Sequence, residues 1–396
     1  MGSELLPFTP SDTFRQISFS DLNSLVRKYF NVQQAFIDSV HGGVPTFVIF
    51  KDQNIKVGFS KLNSSLDAYS LVPLLREGEE KTQCVLRIFG VRKDLEGGSK
   101  KKRRVSVQVI LLLATIITVT ISGILIAQEF FGEIGQAASL PLLLLVGGEY
   151  AASLMAILVV HELGHVIATK LHLIKSSLPY FVPAPPILGP GLTTPGTFGA
   201  VILQNTSAVN RDQLFDLGIA GPLSGFIVAI IVTFMGISLS VPIKATGGIG
   251  TFPPPLFYMI IALFPGIFPP GFAIALHPVA LAGYIGLIIT CLNLFPVSQL
   301  DGGHTSRAAF GASGYAKASA ISIVALLILG LLSPTIFLPF ALLVIFFSFL
   351  GGGGHPGPLD DVSKITTSRK ILLVVGFIVL FLSLPMDYLA IFQYLP

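Results

Sequence analysis

Two short stretches far apart in the chain carry residues whose types and spacing could do chemistry: HELGH at 161–165 and NLFPVSQLDGG at 293–303. His161 and His165 are four residues apart, so on a helix both imidazoles leave the same face, with Glu162 beside a bound metal rather than on it. Two imidazoles and an adjacent carboxylate suit hydrolysis by a metal-activated water, the glutamate serving as general base. On a soluble helix such a trio can arise by coincidence. Here residues 141–160, just before His161, contain a single charged side chain, Glu149. Ionisable groups at membrane depth are costly to insert and by default functional.

A catalytic zinc needs a third protein ligand and an open fourth position. The main candidates are Glu149, His277, Asp301, His304 and His355. Glu149 lies twelve residues before His161, about 18 Å away along a helix, which makes it an interfacial carboxylate at the opposite end. Asp301 combines a carboxylate, the right depth and a break in its own helix. Pro296 should interrupt the helix there, and Gly302 and Gly303 should permit a tight turn that aims Asp301 inward. Irregular backbone of this kind is tolerated where it lines a wet cavity. One Zn²⁺ per chain, on His161, His165 and Asp301, is the expected cofactor. His304 is open to three readings: a partner of the ligands, a substrate contact, or a polar residue after the turn.

The elements that must position these residues are apolar. Hydrophobic residues make up 52% of the 396, charged residues only 12%, and mean hydropathy is +0.78. A soluble domain typically carries about 25% charged residues, so a polytopic α-helical membrane protein is expected. Charge is concentrated at the front: residues 1–104 hold 16 of the 25 Lys and Arg and 11 of the 21 Asp and Glu. A small N-terminal α+β domain, residues 1–100, regulatory or docking in role, therefore precedes a basic collar at 101–104 and a membrane domain at 105–396. The net charge of +4 is modest and its basic residues flank apolar stretches, which argues for a lipid bilayer as partner and against nucleic acid. Cys84 and Cys291, one per domain, form neither a disulfide framework nor a Cys-rich metal site, and both read as inert buried thiols. The N-terminus lacks the pattern of a cleaved signal peptide, leaving the first span as the insertion signal.

Within the N-terminal domain, Leu22, Leu25, Val26, Tyr29 and Phe30 recur at helical spacing, predicting one helix between residues 20 and 40. Strands are expected at 44–50, 55–62 and 84–91, and a helix at 65–76. Seven spans come next, at about 105–127, 140–169, 214–239, 278–299, 316–332, 336–350 and 371–392. With the basic collar in the cytoplasm, both motifs end near the cytoplasmic surface. Eight of the nine later basic residues then fall on that side, leaving only Lys244 outside. This parity requires 252–275 to be an outer loop or a re-entrant hairpin. The short late spans and Gly351 to Gly354 are the expected mobile parts that admit substrate.

Over residues 140–305 the paired motifs resemble those of the site-2 proteases, intramembrane zinc metalloproteases of the M50 type that cut transmembrane substrates. The resemblance implies His161, His165 and Asp301 as zinc ligands and Glu162 as the catalytic carboxylate. Asn293 and Pro296 match the residues preceding the Asp-Gly turn. Asn293 then holds substrate backbone or stabilises the developing oxyanion, although polar residues in membranes also serve as interhelical hydrogen bonds. GTFGAVI, 196–202, looks like the family's membrane-associated β segment, and AGPLSGF, 220–226, like its small-residue central helix. GGGGHPGPLDD, 351–361, is similar to a tail of some prokaryotic and plastid members. By the same resemblance the chain is expected to be an endopeptidase acting on transmembrane proteins; the charge parity places the cut near the cytoplasmic side, the cell membrane is the default location, and the N-terminal domain is open to binding a substrate tail, docking an adaptor or covering the exit. The alternative is a zinc or solute transporter with the same His and Asp residues in its pathway. That reading leaves the placement of Glu162 unexplained and lacks the repeated halves common in transporters.

Overall fold

The computed structural model describes residues 8–9, 17–40, 42–51, 53–91, 105–189, 192–204, 206–244, 253–264, 272–297, 300–332, 337–338, 341–342, 344–345 and 355–385. The basic collar at 101–104, most of the expected span at 336–350 and Gly351 to Gly354 lie outside these residues.

The N-terminal unit is richer in strand than expected. After β1 (Phe8–Thr9), α1 (Phe19–Tyr29) starts where the Ser18 hydroxyl accepts from the Asp21 N–H, and it buries Leu22 and Val26, one turn apart. It stops at Phe30 instead of running on towards residue 40. β2 (Val32–Asp38) comes next, turning through Gly42 and Gly43, both at φ 80°, into β3 (Val44–Phe50). Residues 55–62, expected as a strand, form α2 (Ile55–Leu66), capped by Asn54. Ile55, Val57 and Phe59 alternate as in a strand, but Val57 is exposed. The buried set Ile55, Phe59, Leu62 and Leu66 keeps to the helical period. The helix expected at 65–76 is also absent: a single turn at Asp67–Tyr69 leads to β4 (Leu71–Glu77), which pairs antiparallel with β5 (Gln83–Val91).

The sheet order is β4-β5-β3-β2, all antiparallel, and β1 adds to the far end of β5. Phe47, Ile49, Phe59, Leu62, Leu75, Leu86 and Ile88 form its core. Cys84 is fully buried among them, and that burial pushes its thiol up to about 11, so it stays protonated and inert.

Four helices of the membrane part are long and apolar enough to cross a bilayer: α3 (Val105–Glu133), α4 (Leu140–Leu171), α5 (Arg211–Ser238) and α8 (Asp301–Leu332). Seven spans are thus not all visible among the described residues. Between α4 and α5 lie β6 (Tyr180–Pro183), β7 (Ile187–Gly189), β8 (Leu192–Thr193) and β9 (Thr197–Val201). β6 pairs with β9, and β7 pairs with β8. This segment leans on α3, where the Thr118 hydroxyl donates to the Gly196 carbonyl at 2.7 Å.

After α5, β10 (Val241–Lys244) precedes α6 (Pro255–Ile261) and β11 (Phe272–Ala275), which pairs antiparallel with β10. Residues 241–244 and 272–275 are therefore side by side, and α6, at seven residues, spans only about 10 Å. The 17-residue α7 (Pro278–Leu294) then leads to α8, which contains a break at Gly311 (φ 72°), and α9 (Thr367–Ser383) comes last.

α5 is the centre of the bundle, packed against α4, α7 and α8. Small residues make this possible. A Cβ on Gly164 of α4 would lie 2.5 Å from the Ala220 carbonyl oxygen, and one on Gly218 of α5 would lie 2.5 Å from the Asp301 carbonyl oxygen.

The N-terminal unit and the membrane bundle are joined by residues 358–362. Leu75 of β4 donates its N–H to the Leu359 carbonyl and accepts from the Asp361 N–H, while Leu359 and Asp360 donate to the Ala208 and Val209 carbonyls just before α5. Val362 enters the soluble core, and Ile365 enters the membrane core. Arg307 of α8 forks onto both carboxylate oxygens of Asp361, at 2.8 and 2.5 Å, and Arg211 donates to the same carboxylate at 3.0 Å. Further along, Lys56 pairs with Asp212, and Arg369 with Asp212 and Asp216.

Gly236 marks where α5 meets the start of α7, since a Cβ there would lie 2.1 Å from the Ala280 backbone nitrogen. Gly236→Val is expected to destabilise the bundle by about 1–3 kcal/mol, the range for overpacking. This would be seen as a lower midpoint of thermal unfolding by circular dichroism in detergent; an unchanged midpoint would show that the helices have slack at this crossing.

Candidate metal centre

The HELGH pentapeptide lies within the last three turns of α4, as continuous helix, so His161 and His165 share a face one turn apart. That face is turned to α5. A Cβ on Gly221 would lie 2.0 Å from His165 Nε2, and one on Gly225 would lie 3.0 Å from His161 Cβ. The AGPLSGF helix thus gives the two imidazoles room by lacking side chains where they sit. Ser224 ties the crossing down, lying 3.0 Å from the Val160 carbonyl oxygen.

The third residue arrives from α7 and α8. α7 ends at Leu294, Pro296 comes two residues later, and Asp301 opens α8. Gly302 belongs to the first helical turn and is absent from the positive-φ glycines, so it does not use glycine's left-handed freedom. Its requirement is close approach: a Cβ would lie 2.1 Å from the Leu294 carbonyl oxygen. Asp301 is held down in turn by Thr305, whose hydroxyl donates to the Asp301 carbonyl at 2.9 Å.

Three donor atoms converge. His161 Nε2 and His165 Nε2 are 3.2 Å apart, and Asp301 Oδ2 lies 3.2 Å from the first and 3.3 Å from the second. Among the described residues these form the one cluster of three or more ligand-type side chains. His165 Nδ1 is 2.8 Å from the Leu217 carbonyl oxygen, which can only accept, so Nδ1 carries the proton and Nε2 offers a lone pair. Lone pairs of His165 and of the Asp301 carboxylate at this separation repel unless a cation lies between them. Zn²⁺ bonds nitrogen and carboxylate oxygen at about 2.0–2.2 Å, and the edge of a tetrahedron of such bonds is about 3.3–3.6 Å. The observed triangle is close to one face of that tetrahedron, leaving a fourth vertex. The donor set and spacing therefore fit Zn²⁺.

The other sequence candidates are placed elsewhere or differently. Glu162 is buried beside His161 and is not among the converging donors. Asn293 is half-buried in the last turn of α7 and outside the ligand cluster. Glu149 and His277 meet each other at 4.0 Å, where His277 caps the start of α7. His304, one turn beyond Asp301, has its Nδ1 2.7 Å from His355 Nε2, and the two rings stand edge to face. Sequence reasoning singled out both histidines but not their pairing. It missed Asp361 and its ties to Arg307 and Arg211, for which the only local signal was an acidic pair in a glycine- and proline-rich segment.

Residues 149–333 match the model of peptidase family M50. A probable zinc metalloprotease EGY1, chloroplastic, of Arabidopsis thaliana is 30% identical over 243 residues, 59% of this chain and 42% of that protein. A probable zinc metalloprotease EGY2, chloroplastic, of Oryza sativa subsp. indica is 30% identical over 251 residues, 61% of this chain and 42% of its own length. EGY2 of Arabidopsis thaliana is likewise 30% identical, over 58% of this chain and 39% of its length. The chain thus spans about two fifths of the length of these curated relatives. No solved structure matches. The segment that matches peptidase family M50, the site-2 protease family, is the one that holds both histidines, the distant carboxylate and the glycine-bearing helix between them.

Proposed function

We propose that the chain is an intramembrane zinc endopeptidase that hydrolyses peptide bonds of transmembrane proteins near the cytoplasmic side of the bilayer, or the equivalent side of a plastid membrane. The observation that carries this reading is the triangle of His161 Nε2, His165 Nε2 and Asp301 Oδ2 with sides of 3.2–3.3 Å, beside the buried Glu162. When bound, zinc supplies a Lewis acid for the scissile carbonyl and lowers the pKa of its water to about 7. Glu162 accepts the proton of the attacking water at a carboxylate oxygen and returns it to the departing amine, acting in turn as base and acid. Asn293 holds the substrate backbone or the developing oxyanion.

A substrate helix hides its amides in its own hydrogen bonds, so it must be unwound before it can be cut. β9, already paired with β6, offers an edge on which the unwound stretch can lie as an added strand. Sidedness is argued from charge: Arg211, Arg307, Lys364, Arg369 and Lys370 cluster in sequence around the segments that close over the metal, which favours the cytoplasm for this end. The seven-span reading counts α7 and α9 as short crossings and the region at 336–350 as one more. The N-terminal unit, joined to the bundle by residues 358–362, serves as a docking module for substrate tails or an adaptor.

Glu162→Gln is expected to lower cleavage of a single-span substrate by about 10²–10⁴-fold, the usual contribution of general acid–base catalysis, with zinc content by elemental analysis unchanged. Full activity of that variant would remove Glu162 from the mechanism, and zinc transport unaffected by it would favour the transporter reading. Gly221→Ala should do the opposite, displacing His165 and losing zinc, as measured in the purified protein. For the β edge, Ala200→Pro is a cleaner probe than a change at Gly199, whose φ of 95° proline cannot adopt. Cleavage should fall while zinc is retained, and unchanged peptide hydrolysis would reject the strand-pairing role.

A further inference from the structure

His304 and His355 form a directional chain of hydrogen bonds whose polarity can be read from the heavy atoms. The Gly357 N–H donates to His355 Nδ1 at 3.1 Å. A backbone N–H can only donate, so Nδ1 of His355 is bare and its proton sits on Nε2. That Nε2 lies 2.7 Å from His304 Nδ1, and therefore donates to it. His304 Nδ1 is then the acceptor, and the proton of the neutral ring is on Nε2. Burial pushes the pKa of His355 down to about 2, so it remains in the neutral form on which this polarity depends.

The chain is anchored at its far end. Arg307 donates through Nε to the His355 carbonyl at 3.3 Å while its other nitrogens grip Asp361. Arg76 of the N-terminal unit donates to the Pro358 and Leu359 carbonyls at 3.0 and 3.1 Å. At the near end, His304 is three residues after Asp301 on α8, about 4.5 Å along the axis and on the same face. With Nδ1 engaged and Nε2 protonated, the ring has no lone pair to give a metal. Among the described residues nothing accepts from its Nε2–H. A half-buried N–H one helical turn from a carboxylate of the donor triangle is the kind of group that can stabilise charge developing on a carbonyl oxygen.

We propose that His304 is a catalytic hydrogen-bond donor whose Nε2–H meets the carbonyl oxygen of the scissile peptide bond, and that His355 is a positioning residue that holds its imidazole in the donor tautomer. Asn293 and His304 then share the oxyanion from the two sides of the Asp301 turn. This assignment rests on the peptidase reading above.

The test uses the full-length, zinc-loaded protein and a single-span substrate. His304→Ala is expected to lower kcat by about 10²-fold, the effect of losing one oxyanion donor, with KM and zinc content unchanged. His304→Gln keeps an N–H donor and should recover part of the loss. His355→Leu should lower kcat by about 10-fold, as loss of an orienting partner does, and His355→Gln should restore it. Nitrogen NMR of histidine-labelled protein gives a readout independent of turnover: His304 protonated on Nε2 alone in the parent protein, and a mixture of tautomers in His355→Leu. Unchanged kcat in His304→Ala, loss of zinc in that variant, or an Nδ1-protonated His304 in the parent would each overturn the assignment. Absence of cleavage by the parent itself would overturn the peptidase reading, and the role of His304 with it; parental cleavage with His304→Ala fully active would overturn the role alone.

Discussion

Three electron-rich atoms from two distant stretches of chain are held within 3.3 Å of one another, and most of the membrane fold can be understood as what is needed to hold them there. α4 and α8 do not bring their ligands together by gripping each other. Each lies against α5, which carries no side chain at Gly218, where α8 approaches, or at Gly221, where His165 points. In a membrane, where lipid is as apolar as the helices, such close backbone contact is a main source of helix association. The same glycines that stabilise the bundle therefore set the distance between the donors.

The sequence conveyed this centre better than its surroundings. HELGH requires only helical periodicity to be read, and α4 supplies it. Asp301 could be chosen because few carboxylates stand at the right depth beside a helix break. Gly302 was expected to allow a tight turn before α8; what the structure shows it providing is space beneath the Leu294 carbonyl, without a positive φ. The soluble unit was less legible. Residues 55–62 satisfy both the strand and the helix pattern over a short window, and the choice fell to Asn54 capping the helix and to Leu66, beyond the window, completing the buried stripe. Leu71 to Glu77 became a strand because β5 and residues 359–361 offered it partners on both edges, and tertiary pairing of this kind overrides local preference.

Polar contacts close one end of the bundle. Arg307 and Arg211 share the buried Asp361, and Arg369 spans Asp212 and Asp216, with His172 also on Asp216 at 2.8 Å. Burying such groups costs desolvation that their attraction offsets only when the geometry is good, so their value is more in register than in net stability. Arg307 stands six residues beyond Asp301, about 9 Å along α8. Fixing it fixes the rotation of the helix that presents the carboxylate. The loop bearing His355 is fixed by the same guanidinium, so the Asp301 carboxylate and the histidine pair share one reference point.

The seam at 358–362 also bears on how the polypeptide is made. β4 emerges from the ribosome early, yet its outer edge and the Val362 position in the soluble core are filled by residues synthesised after α8. Until then the outer edge of β4 is bare, a state that invites pairing with the wrong strand. The N-terminal unit and the bundle therefore mature together, and the final stitch is placed only once the helices bearing the three converging donors have been made.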